Sequence, residues 1–387
     1  MKAVHRDGFL LHIFLKNVNM PANLIFERGK SLMALCGVCR KINDYLKTNN
    51  CGSKVYTVEF LRLIFLFCII YFHSFVSYWH NQEHDEYFYK FVLSVEYFFI
   101  IGGFFLYSNI MKEKDSFRLI KKIYFRLVPA LVFVFILCHI VSDYGPMSFS
   151  NLPLVIILVN GLSLFPDHIP GWGDWFIGVY FWSSCLYIAL LNNKNNKNLL
   201  YVLILVYIST LYRTSMNSGN YYLTVLPFFI GHELFRGISS MGIGVVAGFV
   251  SSKMGNIRNK VIVRLFFTFI EIFCLMQLYY SLFVFPQIIY IKTFSIFAIL
   301  MILISHSYGY ISAFLNKQSW VSLFSRYAYS IFVMNMFFVR FLEKFRYGLS
   351  ESSYISIFIS GCIVFGILEY HLIEKSFFPY LKNKIFA

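Results

Sequence analysis

Ten times in 387 residues the chain runs apolar for about the length of a bilayer crossing, and nothing constrains its fold more. The segments lie near 56–79, 90–111, 125–143, 172–192, 198–212, 231–251, 261–283, 287–307, 320–341 and 354–372. A hydrocarbon core takes about 20 residues of helix per crossing, and backbone in lipid must bond within its own segment. The pattern predicts an all-α polytopic membrane protein of about ten transmembrane helices. Composition agrees, since 58% of residues are hydrophobic and 14% charged, a balance foreign to soluble domains of this length.

Charge sets the orientation. With the N-terminus inside, the cytoplasmic segments carry 26 of the 34 Lys and Arg, the outer segments seven, and the first helix one, Arg62. That skew follows the positive-inside rule with both termini cytoplasmic. It also accounts for the net charge of +15, so the partner it implies is the lipid bilayer and nucleic acid is unnecessary. Residues 1–55 read as a basic cytoplasmic segment, or as the product of an over-early start with Met20 and Met33 as alternatives. Residues 56–377 form the membrane domain and 378–387 a short cytoplasmic tail. Of eight cysteines only Cys36 and Cys39 make a CxxC, without a second pair at zinc spacing, so no metal site is expected.

Two further stretches carry packing information. The outer segment 144–171 contains "NLPLVIILVNGLSLF", apolar but too short to cross comfortably, which predicts a helix on or dipping into the outer face. Ser240, Gly244 and Gly248 stand four apart in "GISSMGIGVVAG", a stripe of small residues that lets helices approach closely.

The chemistry concentrates in "EFLRLIFLFCIIYFHSF", residues 59–75. Ionisable groups at membrane depth are costly and usually functional. Arg62 and His73 are eleven residues apart, almost three helical turns, so they share one face roughly 16 Å apart along the axis. Arg62 falls in the inner half of the helix, where it can hold an anion or snorkel to headgroups, and His73 in the outer half. An uncharged His73 suits general-base work.

Arginine, ten residues and histidine in the first helix resembles the signature of the acyltransferase-3 membrane proteins, which include O-acetyltransferases of bacterial surface polysaccharides. The resemblance continues in order from Glu59 to about Phe377. It runs through "VEYFFIIGGFF" (Phe98, Phe99, Gly103, Phe104), "RLVPA" (Arg126, Pro129), "WGDWFIGVYFW", "FRGISSMGIGVVAG", "YAYSIFVMN" and "HLIEKSF". The chain departs from the family at Gly102, usually Ser; Tyr180, often Glu; Asn335, often a second His; and Ser376, usually Pro.

The resemblance implies an acyl-CoA donor, generally acetyl-CoA, delivered from the cytoplasm, and a glycan hydroxyl as acceptor beyond the outer face of a bacterial inner membrane. Coenzyme A is polyanionic and suits Arg and Lys. Arg62 and Arg126, at the end of the basic loop "KEKDSFRLIKKIYFR" (112–126), are the candidate donor-binding residues. His73 is the candidate catalytic base or acyl carrier, with Glu96 as the carboxylate that orients it or makes a polar contact with Arg62 or another helix. Arg236, Trp172 and Trp175 are the acceptor-binding candidates. Their plainer readings are an Arg236–Glu233 pair three residues apart and interfacial Trp anchors. Nothing in the sequence sets the oligomeric state. A transporter or flippase of the same glycan pathway is the alternative, in which Arg62 and His73 form a permeation or proton-coupling site; no paired broken helices support it. A family member that has lost activity is the third reading.

Overall fold

A computed structural model describes residues 55–79, 91, 93–141, 149–159, 162, 175–193, 198–216, 232–254, 261–283 and 290–377. The N-terminal segment, Cys36, Cys39, Trp172 and the last ten residues lie outside them. All ten apolar segments contain helix, and no strand occurs among the described residues, as an all-α polytopic membrane protein requires. The helices are α1 Tyr56–Trp79, α2 Leu93–Lys112, α3 Ser116–Val141, α4 Leu152–Ile156, α5 Trp175–Leu191, α6 Asn198–Met216, α7 His232–Lys253, α8 Val261–Phe283, α9 Tyr290–His306, α10 Tyr310–Leu315, α11 Val321–Ser325, α12 Ala328–Glu343 and α13 Glu351–Glu369, the last continuing as a π-helix over Tyr370–Phe377. Among the described residues six spans, in α1, α2, α3, α7, α8 and the α13 π-extended helix, are long and apolar enough to cross alone. The apolar parts of α5, α6 and α9 are shorter.

Three sequence expectations change. The basic stretch 112–126 is mostly helix: the connection narrows to residues 113–115 and α3 begins at Ser116, nine residues before the apolar run. Asp115 Oδ1 accepts the Phe117 backbone N–H at 2.9 Å, which nucleates the turn, and long basic side chains extend from it into solvent. The ninth apolar segment is broken at Arg326–Tyr327, with α12 starting at Ala328. Arg326 stays exposed there, and a continuous apolar span would have carried its charge inward. Among the described residues of the outer segment the helix is a single turn, α4, preceded by a 3₁₀ turn at Phe149–Asn151. It descends along α3, with Phe149 against His139 and the Ile156 carbonyl accepting from Tyr124 Oη at 2.9 Å. Trp182 Nε1 donates to the Leu158 carbonyl at 3.0 Å, so non-helical backbone at depth finds its partners in protein.

The tightest crossing is that of α2 with α7, the most extensive helix pair. Its cause is glycine. A Cβ on Gly103 would stand 1.9 Å from the Met241 carbonyl oxygen, and one on Gly244 2.0 Å from that of Ile100. The small-residue stripe is therefore a backbone-to-backbone contact, with Ser240 and Gly248 extending it. Helix α1 packs against α2, α11, α12 and α13. Its first turn is tied to Asn316, whose Oδ1 accepts from the Thr57 N–H at 2.8 Å. By contrast α8 turns Phe266, Phe269, Phe273, Met276 and Tyr279 outward, the lipid-facing side of a span packed mainly on α9 and α10.

Candidate functional site

His73 sits in the C-terminal half of α1, three turns beyond Arg62, in an unbroken helix. The Asn335 side-chain amide meets its ring: Asn335 Nδ2 donates to His73 Nδ1. Asn335 is 1% exposed and its Oδ1 has no partner among the described residues. His73 keeps accessible surface, and its side-chain hydrogen bond among the described residues is the one made by Nδ1. One ring nitrogen is thus held and the other is open to a ligand.

Arg62 and His73 share a face but are not brought together. Leu66, Ile69 and Ile70 lie buried between them in the core formed with α12. Arg62 Nη1 pairs with Glu59 at 3.2 Å, one turn earlier, and its Nε is buried with no partner among the described residues. The Glu59 carboxylate compensates the guanidinium charge, and Nε is enclosed by the surrounding side chains.

Arg126 is exposed and lines a cavity of about 370 Å³ between the C-terminal end of α2 and the N-terminal part of α3, together with Asn109, Lys112, Glu113 and Lys122. Three cations against one carboxylate make it a basin for anions. Lys122 donates to Glu113 and thereby holds that carboxyl below the ordinary glutamate value. Arg62 is not in the wall of this cavity.

Glu96, Arg236 and Trp175 do meet. Arg236 Nε donates to Glu96 Oε1 at 2.9 Å, Ser240 Oγ donates to Glu96 Oε2 at 3.2 Å, and the guanidinium lies over the Trp175 ring at 4.7 Å. The short-range pairing of Arg236 with Glu233 gives way to this ion pair, because Glu96 is 1% exposed and requires a cation where Glu233 keeps access to solvent. Phe99 and Phe176 connect Trp175 to Phe332 on α12, one turn before Asn335.

Sequence reasoning did not find Asn335 as the partner of His73. The signal was a single amide in the otherwise apolar run "IFVMNMFFV". It also passed over the link between two departures from the acyltransferase-3 pattern: a Cβ on Gly102 would stand 2.5 Å from Tyr180 Cε2, so the absent side chain at one position makes room for the ring at the other. On the π-helix Glu374 accepts from Ser330 Oγ at 2.9 Å, while Glu369 is 1% exposed with both oxygens unpartnered among the described residues. No cluster of metal-ligating side chains occurs among the described residues.

The acyltransferase-3 family, described as an acyltransferase domain, matches residues 55–370. No curated protein and no solved structure matches the chain.

Proposed function

Because this chain belongs to the acyltransferase-3 family and is a multi-pass membrane protein with an acyltransferase domain, we propose that it transfers an acetyl group from cytoplasmic acetyl-CoA to a hydroxyl of a bacterial surface polysaccharide or its lipid-linked precursor, in the inner membrane. The observation that carries this reading is His73, held inside the span by one ring nitrogen and open at the other.

In this reaction the open nitrogen takes the proton of the acceptor hydroxyl. The hydroxyl oxygen attacks the thioester carbonyl, the C–S bond breaks, and the proton passes to the departing CoA thiolate. If instead His73 carries the acetyl group, the same nitrogen attacks the carbonyl and the hydroxyl then attacks the acyl-imidazole. Both routes require a lone pair on Nε2. The cavity at Lys112, Lys122 and Arg126 supports a polyanionic donor entering from the cytoplasmic side. The Arg236 and Trp175 cluster, joined through aromatic rings to α12, supports an acceptor site toward the outer end.

The test compares base-labile O-acetyl content of the surface polysaccharide, by proton NMR before and after mild base. Cells carry wild type, a deletion, or His73→Ala at matched membrane expression. Loss of the acetyl signal in both altered strains is the expected result. A deletion strain with unchanged acetylation rejects this acceptor class.

A further inference from the structure

We infer that Asn335 is a positioning residue that selects the tautomer of His73, so that the orientation of one side-chain amide decides whether Nε2 is an acid or a base. The inference rests on the catalytic reading of His73 for its purpose but not for its geometry. A neutral imidazole has one N–H and one bare nitrogen, and the hydrogen bond made by one nitrogen fixes the state of the other. An amide nitrogen can only donate. With Asn335 Nδ2 against Nδ1, the ring must present a bare Nδ1, and the proton sits on Nε2. In this state Nε2–H can donate to a carbonyl or a thiolate, but it has no lone pair with which to take a hydroxyl proton.

The atom that would reverse this is already in place. Asn335 Oδ1 is buried and has no partner among the described residues. A half-turn of the amide brings Oδ1 to Nδ1, and the proton moves to Nδ1 so that Oδ1 can accept it. Nε2 is then bare and ready to act as the base. The amide NH₂ then takes the place of the buried, unpartnered oxygen. Burial makes each orientation definite, since neither amide atom can exchange its bond for water at 1% exposure. An amide in the orienting position of a catalytic histidine can hold the wrong tautomer, at a cost of about 10⁴ in turnover for the serine-protease triad. Here the same chemistry makes Asn335 the control point.

The experiment reads the ring directly, by solid-state NMR of the full chain in lipid nanodiscs with ¹⁵N-labelled histidine; His73→Gln identifies the His73 signals. The wild type is expected to show one tautomer with the proton on Nε2. Asn335→Asp, whose carboxylate can only accept, is expected to show a protonated Nδ1. Asn335→Leu, offering neither bond, is expected to show both tautomers. A wild-type ring already protonated on Nδ1, an even mixture in the wild type, or an Asp variant indistinguishable from wild type would overturn the inference. If the Leu variant does not fold, the Asp variant alone decides. Because no donor or acceptor substrate is present, an altered tautomer in a protein that moves no acetyl group would reject the functional reading and leave this one standing.

Discussion

Glu96 on α2 and Arg236 on α7, 140 residues apart in sequence, form an ion pair of 2.9 Å in which the carboxylate is almost wholly removed from solvent. The pair pins the crossing of these helices just beside the glycine contact, and Trp175 covers its cationic half. Its energetic weight shows on breaking it. Arg236→Ala deprives a buried charge of its ion-pair partner and is expected to destabilise the protein by about 3–5 kcal/mol, whereas Glu96→Gln with Arg236→Met costs much less. Thermal unfolding in detergent micelles checks this, and a double variant as unstable as Arg236→Ala would contradict it.

Gly244→Ala and Gly102→Ala separate two kinds of close contact. At Gly244 the new methyl meets the Ile100 carbonyl, part of a backbone that cannot give way without parting α2 from α7. At Gly102 it meets the edge of the Tyr180 ring, which can swing aside. Overpacking costs about 1–3 kcal/mol in general, with Gly244→Ala expected at or above that range and Gly102→Ala near its lower end. Equal losses of unfolding temperature would disprove the distinction. Gly102→Ser should likewise be better tolerated with Tyr180→Glu than alone.

Glu271 on α8 holds the chain where α10 begins. Its carboxylate accepts from the Gly309 N–H at 3.2 Å, the Ser312 N–H at 3.3 Å and the Ser312 hydroxyl. Glu271→Leu strands these buried donors at about 1–3 kcal/mol each. Glu271→Gln keeps one oxygen acceptor and is expected to fall between Leu and wild type in thermal stability. A Leu variant as stable as wild type would remove this role.

The Lys122–Glu113 bond gives a pH dependence with a definite sign. Lys122 lowers the folded-state value of Glu113 below its ordinary 4.5. The bond's contribution to stability is therefore complete above about 4.5 and is lost as pH falls through the lower folded value. Wild type and Glu113→Gln should differ in unfolding temperature at pH 7 and converge as the pH falls well below 4.5, and the difference at pH 7 should shrink with added salt. A difference that grows on acidification would refute it.

Donor binding supplies a further expectation. If the basic cavity receives the phosphates of acetyl-CoA, Arg126→Gln raises the KM for acetyl-CoA at least tenfold, about 1.4 kcal/mol, with little effect on kcat. His73→Ala should do the reverse, lowering kcat by about 10²–10⁴-fold, the range of a lost general base. Steady-state release of CoA thiol in reconstituted membranes, with acceptor glycan supplied, reads both. Equal effects of the two substitutions on kcat would place Arg126 in the chemistry rather than in binding.

The sequence by itself determined the helical class, the approximate positions of the crossings and the placement of Arg62 and His73 on one face. Each of these depends on local quantities: apolar run length, charge location and a period of 3.6 residues. The small-residue stripe at Ser240, Gly244 and Gly248 was legible for the same reason. Tertiary structure decided the partners. Arg236 passes over Glu233, three residues away, for Glu96 on another helix, and His73 is met by Asn335 from 262 residues downstream. Arg126 joins Lys112 across a helix turn that the basic stretch had hidden. A buried polar group takes whichever partner the packing brings within about 3 Å, and sequence spacing carries no record of which helices pack.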